Sequence, residues 1–385
     1  MFFNVAALTA GNVASAASER ILYSFPANSI VQGSVQQDSR GNLYVPAPFG
    51  YGTGAIYELK DRGGDWRTKR IHVFQPNDDG DRPYAALTPG ATEGTFYGTT
   101  SQSGFYNFGT VFSLVQTARH WKLNVLHEFD SSEGAYVSAP MIQDEATGVL
   151  YGSAGQNGLY LCGTVFQLDP ASQDFVKLYD FRGGADGCSP GQVWQGSDAG
   201  TLFGSTLIGG KNNGGTLFLL TKQKRQWTKT VLYTFESGND GGNPWDITAP
   251  ANDGAQTIYG VAGGGQNGTG VLFQISKPSD KWVYKVLYTF PTSDIGSPVS
   301  LLWDRQAGVL YGTRAGHGIT NGAVFKLTNS GGSWSETILH NFKGGTKDGE
   351  TPQARLFLDS QTGILYGTTV YGGTFDGGTV YAVTP

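Results

Sequence analysis

The chain has 385 residues, 58 of them glycine, with 13% aromatic and only 15% charged side chains. That length and aromatic content exclude a disordered polymer, and the glycine content favours short strands and tight turns over helices. A net charge of −5 without a Lys/Arg patch excludes nucleic acid as an expected partner, and no stretch is apolar and long enough to span a membrane.

The N-terminus, MFFNVAALTAGNVASAASER, is apolar and then rich in small residues. ASA at Ala14–Ala16 has the form of a signal-peptidase site, although a basic n-region is missing. Residues 1–19 are therefore expected to be a leader or tail, and the protein to be secreted or periplasmic. Residues 20–385 are expected to form one domain.

From residue 20 onward the sequence repeats. Segments of the type LYxF end at Phe25, Phe74, Phe129, Phe181, Phe235, Phe290 and Phe342, successively 49 to 55 residues apart. Each unit holds four short segments, as in SPVSLLWD (297–304), GVLYGT (308–313), GAVFKLT (322–328) and SWSETILHNF (333–342). All are aromatic or β-branched and are bounded by Gly, Pro, Asp or Asn, with no helical period in competition. Four antiparallel strands repeated seven times predict an all-β, seven-bladed β-propeller. The chain opens on a fourth-type segment, RILYSF, and closes on a third-type one, GTVYAVT. The N-terminal strand is thus expected to complete the C-terminal blade and cover two sheet edges.

The phrase LYGTT…GG…GTVF resembles the tandem repeats of the bacterial GloVer family over essentially all of residues 20–385. The resemblance implies an exported protein and is nearly silent on activity. Many members carry a C-terminal anchor. Here the sequence stops at YAVTP, from which a released or periplasmic protein is expected. The signatures of WD, kelch and quinone-dehydrogenase propellers are absent.

Several positions invite a chemical reading. Trp66, Trp121, Trp227, Trp282 and Trp334 recur just before the fourth strand, with Phe175 assigned to that place in the third unit. Recurrence points to packing between blades, the alternative being sugar platforms. His72, His127 and His340 stand where other units carry Tyr23, Tyr179, Tyr233 and Tyr288, which marks them as packing residues with a polar tip. Asp78, Asp79 and Asp81 lack the spacing of a calcium loop and read as turn residues. KQKR at 222–225 reads as a solvated turn. Cys162 and Cys188 fall on one predicted face and are expected to form a disulfide in an exported protein, with two free thiols as the alternative.

The unit that departs most is LYGTRAGHGITNGAV, where Arg314 replaces a Thr and His317 a Gly. An Arg and a His in one exposed loop suit an anion or carboxylate. Tyr84, Trp245 and Asp246 follow the prolines of the connections between blades and are expected at the channel mouth on the same face. Tyr84, Trp245, Asp246, Arg314 and His317 form the expected ligand-binding set, with His317 and Arg314 as catalytic candidates. No nucleophile elbow, metal cluster or phosphate loop is visible, and no cofactor or metal is expected. The expected partner is a glycan or cell-surface polymer. A polysaccharide lyase or other carbohydrate-active enzyme using His317, Arg314 or Tyr84, and a protein-interaction scaffold, are the alternatives.

Overall fold

A computed structural model describes residues 17–224, 226–251, 253–292, 296–316 and 320–385. It is an all-β ring of seven antiparallel sheets, one for each sequence unit. Blade 1 runs from Gln36 to Val73, blade 2 from Thr88 to Glu128 and blade 3 from Ile142 to Asp180. Blade 4 runs from Cys188 to Thr234, blade 5 from Gly242 to Thr289 and blade 6 from Ser297 to Asn341. Blade 7 comprises Phe357–Leu358, Leu365–Thr369 and Thr379–Thr384, completed by the N-terminal strand Ser18–Ser24. That strand starts two residues ahead of the expected boundary at residue 20. The expected leader sequence up to Ala16 lies outside the described residues. The inner strands are shorter than expected in several blades, reduced to pairs such as Gln36–Gln37 and Thr88–Pro89.

The repeated phrase can be read residue by residue. Each anchor phenylalanine is buried, and its N–H donates to the glycine that opens the third strand of its own blade. The bonds run Phe74 to Gly54, Phe129 to Gly109, Phe181 to Gly163, Phe235 to Gly215, Phe290 to Gly270 and Phe342 to Gly322, at 3.0–3.1 Å. The seventh, Phe25 to Gly378 at 2.9 Å, joins the two ends of the chain and closes the ring.

The glycine of YGT has a different task from the turn glycines. A Cβ on Gly98 would lie 2.4 Å from the Phe112 ring, and Gly152, Gly204, Gly260, Gly312 and Gly367 repeat this against the aromatic ring of their third strand. It makes room for a core ring, whereas Gly109 (φ +94°) holds a left-handed turn before the third strand. The second Thr pairs with the Thr of GTV, as in Thr100–Thr110 (2.9 Å), Thr206–Thr216 (2.9 Å) and Thr369–Thr379 (2.8 Å). These hydroxyls satisfy one another in a buried hairpin.

Blades meet through aromatic contacts. Each recurrent tryptophan reaches an aromatic residue in the second strand of the preceding blade: Trp66 to Tyr366, Trp121 to Tyr44, Trp227 to Tyr151, Trp282 to Phe203 and Trp334 to Tyr259. Packing between blades is their role. Phe175 is a correction to the expected pattern. It faces Leu168, the register at which Thr68 faces Leu59, and stacks on His127 at 3.9 Å. The third unit has a shorter fourth strand, so its aromatic residue sits one pleat further along.

The Tyr/His position also finds its partner. His72 pairs with Asp79 (2.7 Å), His127 with Glu133 (2.9 Å) and His340 with Asp348 (3.2 Å), while Tyr179 and Tyr233 donate to Asp186 (2.8 Å) and Asp240 (2.9 Å). In these five connections the acidic residue therefore secures the connection to the fourth strand before it. Asp79 is taken up in this way, which accounts for it without calcium.

Cys162 and Cys188 form a disulfide, tying the second-to-third loop of blade 3 to the first strand of blade 4. The cysteines are 26 residues apart, so cross-linking removes about 3 kcal/mol of loop entropy from the unfolded chain. Reduction is expected to lower the urea midpoint accordingly. An unchanged midpoint in the Cys162→Ser, Cys188→Ser double variant would contradict this.

Candidate functional site

In an antiparallel blade, the second-to-third loops and the connections between blades share one face, here called the loop face. The expected ligand residues belong to this face, and the structure gives the described ones different surroundings. Trp245 lies there with half its surface exposed. Tyr84 is half-buried between Phe49 and Tyr136, with ring centroids at 5.9 and 5.8 Å, so three consecutive blades each give one ring to a row. Burial, reinforced by Tyr136, pushes the Tyr84 phenol above its ordinary range.

Asp246 is held in an ion pair. It accepts two hydrogen bonds from Arg355, one from Nε at 3.0 Å, and one from the Leu301 N–H at 2.9 Å. Arg355 also donates to the Ile247 carbonyl at 2.7 Å and lies 4.8 Å from the Trp194 ring. This ion pair links blade 5 to blades 6 and 7.

Arg314 corrects the expectation of an exposed loop. It is fully buried in the last turn of a strand, Val309–Ala315. Its Nη1 meets both Glu336 oxygens at 3.3 Å, its Nε donates to Gly296 O at 2.8 Å, and its guanidinium lies 5.4 Å from the Phe290 ring. At its register the hydroxyl pair of other blades is replaced on both strands, Arg314 facing Ala323. His317 lies outside the described residues.

Two further features emerge. A cavity of about 800 Å³ is lined by residues in or beside the first strands of six blades, among them Leu87, Met141 and Leu356. Asp144 and Glu145, at the turn between first and second strands of blade 3, also line it, on the side opposite the loop face. On the loop face, exposed large apolar side chains cluster on neighbouring blades. They are Tyr371 and Phe375 of blade 7, Tyr51 of blade 1, Phe105 and Tyr106 of blade 2, and Leu159, Tyr160 and Leu161 of blade 3. With Trp245, these are all the exposed large hydrophobics among the described residues except three valines on fourth strands. The corresponding loop of blade 4 carries Lys211, Asn212 and Asn213, and that of blade 5 carries Gln266 and Asn267. Blades 7, 1, 2 and 3 are contiguous through the ring closure, so the tips form a crescent.

The crescent is held in place. The Phe105 N–H donates to Glu128 at 2.7 Å and the Leu159 N–H to Asp180 at 2.9 Å, fixing two loop tips to fourth strands. Arg70 lies 4.0 Å from the Tyr51 ring centroid and Arg182 5.7 Å from that of Tyr160. The repeated letters do not mark these tips. The signal was in the variable letters between YGT and GTV, which are aromatic in some units and polar in others.

A family model described as the Gloeobacter/Verrucomicrobia repeat matches residues 12–198 and 184–381, nearly the whole chain. The chain belongs to this family. No curated protein matches it in sequence. Among solved structures, this Gloeobacter/Verrucomicrobia repeat protein is similar to an oligogalacturonate lyase from Vibrio parahaemolyticus, with 10% identity and a TM-score of 0.61 over 95% of this chain and 93% of that one. The extracellular domain of a one-component system from B. thetaiotaomicron gives 14% identity and 0.57, covering 94% of this chain but 40% of that chain. The GH74 xyloglucanase from Xanthomonas campestris gives 14% and 0.60, covering 92% and 53%. The chain thus spans only about half of each of the last two. In all, 596 solved chains match, so the likeness carries the propeller architecture and no activity.

Proposed function

We propose that this repeat protein is exported and binds a glycan or cell-surface polymer through the loop face. The observation that carries this reading is the crescent of exposed rings on four neighbouring blades, accompanied by arginines. Flat rings offer stacking platforms for sugar faces, and a guanidinium beside them suits the carboxylate of a uronate. The disulfide fits an oxidising compartment. Two of the similar solved structures are named as an oligogalacturonate lyase and a xyloglucanase and one as an extracellular domain, in line with this reading. Among the described residues no observation favours the lyase: Arg314 is buried and pairs with Glu336.

The test is retention on a panel of neutral and uronate-containing polysaccharides. Binding is expected, and the Tyr51→Ala, Tyr160→Ala double variant is expected to bind about tenfold more weakly, one to two stacking contacts being lost. Retention unaffected by the double variant would sink the proposal. New ultraviolet absorbance from unsaturated uronate would replace binding with catalysis. Failure on every glycan, with capture of a protein partner, would replace it with a scaffold.

A further inference from the structure

Every blade interface places one fourth-strand side chain beneath the Tyr or His of the preceding blade. The register identifies the seven residues: Thr68 faces Leu59, Leu123 faces Leu114, Phe175 faces Leu168, Lys229 faces Leu220, Tyr284 faces Ile275, Glu336 faces Leu327 and Glu19 faces Val383. Four of these side chains are neutral. Lys229 meets the acidic partner of its socket, with its Nζ 2.8 Å from Asp186. Glu336 meets Arg314 at 3.3 Å. In each of these six the fourth-strand side chain is uncharged or meets an opposite charge.

The seventh socket differs. Glu19 comes from the closing N-terminal strand, His340 from the fourth strand of blade 6 and Asp348 from the connection into blade 7. One ligand atom from each lies within 4.8 Å of the other two. Here an anion faces an anion with only an imidazole between them. Asp348 is buried, and its oxygens accept from the Lys343 and Gly349 N–H groups at 2.8 and 2.7 Å as well as meeting His340. One Glu19 oxygen, Oε1, is buried and has no hydrogen-bond partner. A buried carboxylate oxygen left without a donor is costly, and a cation is the ligand that would relieve it.

We infer that Glu19, His340 and Asp348 form a divalent-cation site that clamps the N-terminal strand to blade 6. One imidazole nitrogen and two carboxylates suit Zn²⁺, whose bonds of about 2.0–2.2 Å place tetrahedral ligand atoms about 3.3 Å apart, with a fourth position for water. The His340–Asp348 separation of 3.2 Å is already at that spacing. The ligands come from opposite ends of the chain, so no sequence spacing announces them. This inference is independent of the glycan reading, because the socket lies between blades 6 and 7 rather than on the loop-tip crescent.

The test uses variants the ring already employs at these positions. Glu19→Thr copies Thr68, and His340→Tyr copies Tyr179 and Tyr233, so each is expected to fold. Titrating Zn²⁺ into metal-stripped protein by calorimetry is expected to show one ion per chain, with a rise in the thermal midpoint. Both signals should be lost in each variant and kept in His72→Tyr, whose His–Asp pair lacks a second carboxylate. No binding by the wild-type chain, or binding that survives both Glu19→Thr and His340→Tyr, overturns the inference.

Discussion

Replacing Arg314 by alanine is expected to lower stability by about 3–5 kcal/mol, the usual cost of stranding one partner of a buried ion pair. Both side chains are nearly inaccessible, at 0% and 6%, so no water takes over the lost hydrogen bonds to Glu336. Burial already pushes the Glu336 carboxyl up, with Arg314 opposing it, and removing the guanidinium leaves burial to dominate. The carboxylate would then take up a proton or drag water into the interface. Urea denaturation followed by tryptophan fluorescence measures the loss. Changing both residues to leucine, as Leu123 occupies the Glu336 position in blade 2, should recover most of it, since a well-packed apolar pair matches a buried ion pair in stability. A single-variant loss below about 1 kcal/mol would show that Arg314 is dispensable to the fold and reopen a ligand role. The same experiment warns against treating lost glycan retention in Arg314→Ala as evidence of contact with a ligand.

Deleting Ser18–Phe25 is expected to abolish cooperative folding. The strand pairs with Thr379–Thr384 along its length, and Leu22 and Phe25 are buried in the core shared by blades 7 and 1. Its removal exposes an unpaired edge beside a core cavity. The combined loss is comparable with the whole stability of a domain, about 5–15 kcal/mol. Near-ultraviolet circular dichroism should collapse in the deleted chain and recover on adding a peptide spanning Ser18–Phe25. A truncated chain that unfolds cooperatively at the wild-type midpoint would mean that the ring closes without this strand.

The architecture was legible because a ring must repeat itself. The anchors from Phe25 to Phe342 recur because each donates the same bond to the same glycine, and that regularity is visible to spacing alone. The site was far less legible. Arg314 looked like an exposed departure from a turn, but its partner Glu336 lies in another strand, and only the pleat register brings them together. Asp246 carried the same ambiguity, settled by Arg355 more than a hundred residues away. The Phe175 error came from aligning by residue type when the local strand had shortened. Glu19 reads by composition as part of a leader or tail, yet it pairs with Val383 in the last blade. Sequence showed which letters depart from the repeat, but not whether each departure faces solvent or is answered by a second departure across an interface.

The seven sockets also bear on how a repetitive chain avoids assembling in the wrong order. Blades with the same backbone pairing could stack out of sequence during folding, or exchange between two molecules. Unlike occupants give each junction an address. Lys229 suits a neighbour that supplies Asp186, and Glu19 suits one that supplies His340. Exchanging those neighbours would put Glu19 against Asp186, two carboxylates with no imidazole between them. Uniform backbone pairing builds the ring, and the unlike occupants fix the sequence of blades around it.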